Sequence, residues 1–70
     1  MKVTIALRGE HYSAYVAKKD LEQPIVARER PQLWGGWVDL ANGWRFQLPD
    51  LAPDTRLPIT VDAKRLSGGD

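Results

Sequence analysis

The sequence contains no cysteine, a single histidine and no apolar run of membrane-spanning length. The first absence rules out disulfide staples, thiolate metal sites and a cysteine nucleophile. The second leaves His11 as the only imidazole, so a zinc site would have to be built almost wholly from carboxylates. The third excludes a transmembrane helix, which needs about 20 consecutive apolar residues. Charge of one sign is also lacking. Ten Lys and Arg face nine Asp and Glu, for a formal net charge of +1. A strongly basic domain would point to nucleic acid or an anionic membrane surface, and this balance does not. The opening Met1-Lys2-Val3-Thr4-Ile5-Ala6-Leu7-Arg8 is broken by polar residues and lacks the apolar core of a signal peptide. The cytoplasm is therefore the expected compartment.

What is there suits one small globular domain. Hydrophobic residues make up 43% and charged residues 27% of the 70, an ordinary folded balance rather than a disordered one. A core this small supplies only about 3–5 kcal/mol net. Without disulfides, stability has to come from packing or self-association, and the sequence leaves the oligomeric state open.

Alternation of apolar and polar residues is the main structural signal. Val3, Ile5 and Leu7 share one face of a first strand, and Tyr12, Ala14 and Val16 share one face of a second. A two-residue Gly9-Glu10 loop pairs Leu7 with Tyr12, Ile5 with Ala14 and Val3 with Val16, putting all six on one face. Glycine at the first loop position suits a type II′ turn. Lys18 to Gln23 reads as a polar loop or exposed edge. Pro24 then opens a short strand over Ile25-Val26-Ala27-Arg28, since proline is tolerated at a strand's first residue. The connection from Arg28 to Gly36 is expected to hold a single helical or 3₁₀ turn starting at Pro31 and ended by Gly35. A second hairpin joins Trp37-Val38-Asp39-Leu40 to Trp44-Arg45-Phe46-Gln47-Leu48. A three-residue Ala41-Asn42-Gly43 loop segregates the faces best. It pairs Leu40 with Trp44, Val38 with Phe46 and Asp39 with Arg45, and it places Gly43 in the left-handed position. Trp44 and Phe46 then point into the core and Trp37 lies on the outer face, opposite Gln47. Pro49 to Leu57 is a turn-rich loop. Pro58 to Lys64 alternates again, with Ile59, Val61 and Ala63 inward. The expectation is an all-β, single-domain fold over 1–66. It is a meander or partly open β-barrel of five or six short strands, with a flexible tail over 67–70.

No catalytic constellation emerges. His11 sits beside the first turn without evident ligand or proton-transfer partners. Ser13, two residues on, shares its outward face, and a triad needs a third, orienting group that nothing implies. The nine acids are spread singly. Gly35-Gly36 lacks the Lys-Ser/Thr of a phosphate loop and reads as a turn. An outward Trp37 is a candidate interaction anchor. The Lys18-Lys19 segment is either a solvated loop or a docking element for an acidic protein.

Three stretches carry a family likeness. They are Lys18-Lys19-Asp20-Leu21-Glu22; Leu33-Trp34-Gly35-Gly36 with Leu40-Ala41-Asn42-Gly43-Trp44; and Leu57-Pro58-Ile59-Thr60-Val61 with Ala63-Lys64-Arg65. In order and spacing the chain resembles the NifT/FixU family of small proteins associated with nitrogen-fixation gene clusters, from about Met1 to Leu66. The resemblance implies a cytoplasmic bacterial protein linked to nitrogen fixation, with a small barrel-like β fold and no established enzyme activity. No catalytic residue carries over from it, and no cofactor is implied. Nitrogenase and its assembly proteins depend on iron–sulfur clusters, usually held by cysteine thiolates, and a chain without cysteine is poorly suited to carry one. Two readings follow. The first is a non-catalytic accessory protein that binds a nitrogenase component or maturation factor through Trp37, Lys18 and Lys19. The second is a small metal-handling protein or hydrolase using His11 and scattered carboxylates. A nucleic-acid binder is disfavoured by the charge balance.

Overall fold

The computed structural model describes residues 1–68. Its strands are β1 (Lys2–Arg8), β2 (His11–Val16), β3 (Leu21–Arg28), β4 (Trp37–Leu40), β5 (Arg45–Gln47), β6 (Ile59–Asp62) and β7 (Lys64–Ser67), with one 3₁₀ turn over Ala17–Lys19. The all-β expectation holds, with seven strands rather than five or six.

Both hairpins keep the register that alternation dictates. Val3 faces Val16, Ile5 faces Ala14 and Leu7 faces Tyr12. Gly9 takes φ +64, a conformation that costs glycine little. Four of the six apolar residues are buried, but Leu7, near the hairpin tip, is 54% exposed. In the second hairpin Trp37 faces Gln47, Val38 faces Phe46 and Asp39 faces Arg45. The Gly43 N–H donates to the Leu40 carbonyl at 3.0 Å and the Leu40 N–H to the Trp44 carbonyl at 2.8 Å. These bonds close the three-residue loop, with Gly43 at φ +95. Phe46 is fully buried, as expected. Trp44 is only half-buried, packed against the edge of the core.

The strands that change partner depart from expectation. β3 begins at Leu21, inside the stretch read as a polar loop, because half-buried Leu21 packs on the core and faces Val16. Pro24 therefore lies within the strand, not at its start. The first half of β3 pairs with β2 and the second half with β4, with a register shift between Ile25 and Ala27. The Pro24 carbonyl accepts from the Ala41 N–H at 3.0 Å. A residue's N–H and C=O point to the same side of a strand, so the missing donor falls on the side away from β2 and costs that ladder nothing.

The chain repeats this device at its other end. β6 pairs with β1, Ala63 turns inward, and β7 pairs with β5. The strand order is β6-β1-β2-β3-β4-β5-β7. Its two outermost strands are thus one residue apart in the chain but do not pair with each other, which leaves the curled sheet unclosed. Ser67, counted above with the tail, is the last residue of β7 and faces Arg45. Of the rest of that expected tail, Gly68 follows β7 at φ +86, and 69 and 70 lie outside the described residues.

The connection before β4 forms no turn of helix at Pro31. It bends inward and delivers Trp34, only 2% exposed, to the centre of the core. Backbone bonds stitch it in place. The Gly35 N–H donates to the Pro49 carbonyl, and the Leu48 N–H to the Gly36 carbonyl, each at 3.0 Å. Gly35 has φ +84, and a side chain there would meet Asp50 Oδ1 at 3.2 Å.

Candidate functional site

Two outward faces carry the candidate residues. The first is the outer face of β6, β1, β2 and β3. Register sets Thr60, Thr4, Tyr15 and Glu22 in one row across it, and Ala6, Ser13 and Pro24 in the next. Ala6 and Ser13 are small, so the middle of the face is hollow. The result is an open cleft of about 520 Å³ floored by Thr4, Ala6 and Ser13 and walled by Leu7, Arg8, Tyr15, Glu22, Leu57 and Pro58.

The hydroxyls on this face are already engaged. Ser13 Oγ donates to Glu22 Oε2 at 3.0 Å, and Arg8 Nε donates to the same oxygen at 3.1 Å. The Thr4 and Thr60 hydroxyls lie 2.7 Å apart. Tyr15 Oη donates to Asp20 Oδ1 at 3.0 Å, and this bond, with the negative charge behind it, raises the phenol's pKa. Ser13 was expected on the surface beside His11. It does face outward, but the larger side chains around it leave it 4% exposed. Its orienting carboxylate, Glu22, comes from β3 and was not apparent from sequence.

His11 is exposed and lines a smaller neighbouring hollow with Arg8, Ser13 and Glu22. No hydrogen bond joins it to Ser13, whose proton is directed at Glu22 instead. The serine–imidazole contact of a nucleophilic site is therefore not formed. Among the described residues, no group of three or more His, Asp or Glu side chains converges to hold a metal ion.

The second face belongs to β4 and β5. Trp37 lies on it, as the register requires, but is half-buried. The Arg45 guanidinium stacks on its ring, 3.9 Å from the centroid. Arg45 Nε and Nη2 hold the two Asp39 oxygens at 2.6 and 3.0 Å. This fork lowers the Asp39 pKa and raises that of Arg45. The Trp37 N–H donates to Glu29 Oε1 at 3.2 Å, and its carbonyl accepts from the Glu29 N–H at 2.9 Å. Backbone and ring are thus both fixed.

Lys18 and Lys19 are exposed in the 3₁₀ turn after β2. The eight-residue β3 runs between them and the β4 face, so the structure does not bring them to Trp37. They lie at one end of the first face, because Val16 faces Val3 and the 3₁₀ turn follows at once. The Arg45 cap and the Ala6–Ser13 hollow were missed as features. Both rest on cross-strand pairs that the two hairpin registers already contain.

Fold and surface together define a small, cysteine-free antiparallel β domain with two differently furnished outer faces. The chain belongs to the NifT/FixU family, whose members are associated with nitrogen fixation: a family model described as NifT/FixU protein matches residues 1–63. It is 58% identical over 66 residues to the FixU homolog of Sinorhizobium fredii (strain NBRC 101917 / NGR234), covering 94% of this chain and 87% of that one. Protein NifT of Azotobacter vinelandii is 47% identical over 53 residues, covering 73% and 72%. Protein MosB of Rhizobium meliloti is 53% identical over 68 residues, covering 97% of this chain but only 13% of MosB. The same stretch is thus a small part of a much longer protein there. No helix among the described residues is long and apolar enough to cross a membrane.

Proposed function

We propose that this chain is a non-catalytic accessory protein of nitrogen fixation, acting in the cytoplasm by binding a nitrogenase component or a nitrogenase maturation factor. The observation that carries the reading is Trp37. An aromatic ring held on an outer sheet face by a stacked arginine and a fixed backbone is preorganised, so docking against it costs little side-chain entropy. Tryptophan and arginine are also the side chains most often found to dominate binding energy. The match within MosB supports a module that works by contact, since the same stretch is carried inside a larger chain. The absence of cysteine favours contacting a cluster-bearing protein over carrying a cluster.

The test is affinity capture from nitrogen-fixing cells with the tagged chain and its Trp37→Ala variant as baits. The expected result is recovery of a nitrogenase component or maturation factor by the parent, lost with a Trp37→Ala variant that stays folded. A blank for the parent under crosslinking overturns the reading, and equal recovery by the variant removes Trp37 from it.

A further inference from the structure

We propose that the hollow over Ala6 and Ser13 is a docking site for an acidic segment of a partner protein, which seats one bulky apolar side chain in it. The proposal rests on the binding-module reading above and names a second contact surface for it.

The shape comes from sequence. Ala6 and Ser13 face one another at the centre of a four-stranded outer face, where longer side chains would fill the space. Leu7, Leu57 and Pro58 supply apolar walls. Leu7 is 54% exposed, although its partner Tyr12 packs on the core. A cleft of about 520 Å³ has room for a large side chain with the backbone beside it.

The bonding decides what kind of occupant fits. Ser13, Thr4, Tyr15 and Glu22 have hydrogen-bond partners within the face. A small polar molecule would find few groups left to orient it, whereas an apolar side chain needs none. The Arg8 Nη atoms remain: its bond to Glu22 uses Nε only. Their four N–H groups are open to a carboxylate or carbonyl beside the buried group.

Charge selects the acidic class. Glu22 is engaged by Arg8, and Asp62 by the terminal ammonium. Asp20, at the Tyr15 end, accepts from the Tyr15 hydroxyl and, among the described residues, is the one remaining carboxylate set against three lysines there. Lys2, Lys18 and Lys19, at the Tyr15 end of the face, are exposed and make no ion pair among the described residues. Lys2 faces Asp62 across the sheet, and the 3₁₀ turn carrying Lys18 and Lys19 packs on β1. An acidic segment lying along the cleft would meet Arg8 at one end and these lysines at the other. Such steering raises the association rate and weakens with salt.

The test is an NMR titration of the isotope-labelled chain with three short synthetic peptides. One is acidic with a central phenylalanine, one is its alanine counterpart, and one is a basic peptide with the same phenylalanine. The acidic phenylalanine peptide is expected to shift the Ala6, Leu7, Ser13, Tyr15 and Leu57 resonances and to leave those of Trp37 in place. It should bind about tenfold more tightly than either control. Ala6→Leu fills the hollow from the solvent side and should abolish the shifts, with core resonances unchanged. Lys18→Glu with Lys19→Glu should remove the preference for acid. Shifts confined to the Trp37 face, equal binding of the basic peptide, or no shifts at millimolar peptide overturn the proposal. So do concentration-dependent shifts of the same residues without peptide, which would put a second copy of the chain in the cleft. Partner capture that survives Ala6→Leu but not Trp37→Ala defeats this proposal alone. Cleft binding without any captured partner defeats only the functional reading.

Discussion

The Arg45 guanidinium lies 3.9 Å from the centre of the Trp37 ring, and the same group grips Asp39 through two bonds. One side chain therefore couples the outer faces of β4 and β5. Arg45→Ala removes a cation–π contact and a forked ion pair, both partly exposed and so individually weak. A small lowering of the urea midpoint is expected. Trp37 should also become more open to iodide quenching, read in a Trp44→Phe background because Trp44 is half-buried, whereas Trp34 is buried and contributes little to that signal. Arg45→Lys should restore neither effect, because an ammonium lacks the planar fork. Unchanged quenching in Arg45→Ala would show that the stack does not hold the indole.

The same pair predicts a dependence on pH. Arg45 holds the folded-state pKa of Asp39 below the ordinary aspartate range. In the unfolded chain Asp39 titrates near about 3.9. As pH falls, the unfolded state takes up its proton first, so the contribution is fully present above about pH 4 and is lost as pH drops towards the folded value. Asp39→Asn should flatten the fall of stability below about pH 4, as read from urea midpoints between neutral pH and pH 3. Added salt should shrink the difference, because the pair is partly exposed. An acid limb equally steep in Asp39→Asn would assign that loss to other carboxylates.

What could be read from sequence divides along a physical line. Both hairpins were legible, because alternation and turn glycines are local signals, and with them came the Asp39–Arg45 pair and the outward placing of Trp37. The strands that change partner were not. A bend at Ile25 or Ala63 leaves the alternation undisturbed, so nothing local says that β3 or the last strand leaves one neighbour for another. Leu21 sits among charges and reads as loop, and only the sheet it joins makes it strand. The cleft was half visible. The first hairpin's register sets Ala6 beside Ser13, but Glu22, Leu57 and Pro58 reach them through pairing and a loop that sequence did not place.

The close approach of β7 to the second hairpin's loop can be probed at Gly68. An added Cβ there would lie 2.6 Å from Trp44 Cα and 2.7 Å from the Gly43 carbonyl oxygen, both backbone atoms that cannot swing aside. Gly43 also has positive φ, but a Cβ on it meets nothing within 4 Å. Gly43→Ala should therefore cost only backbone strain, about 1 kcal/mol. Gly68→Ala adds a steric clash and should cost about 2–3 kcal/mol. Thermal unfolding of the two variants side by side reads the difference. Equal effects would mean that β7 yields without penalty.

Trp34 is the residue on which the whole domain should depend most. It lies outside any strand, in a connection whose proline and two glycines hide it from periodicity, yet only 2% of it is exposed. Its loop is tied to Pro49 and Leu48 by backbone bonds, so the surroundings cannot simply collapse into a vacated space. Truncating a buried tryptophan costs about 3–5 kcal/mol, as much as the entire net stability of a core this size. Trp34→Ala should accordingly lose the dispersed amide resonances and cooperative urea transition of the parent, while Trp34→Phe keeps both with a lower midpoint. Trp44→Ala, which removes a half-buried ring at the edge of the core, should stay folded. A cooperative, dispersed Trp34→Ala would show that the connection can repack, and would move the centre of stability to the sheet itself.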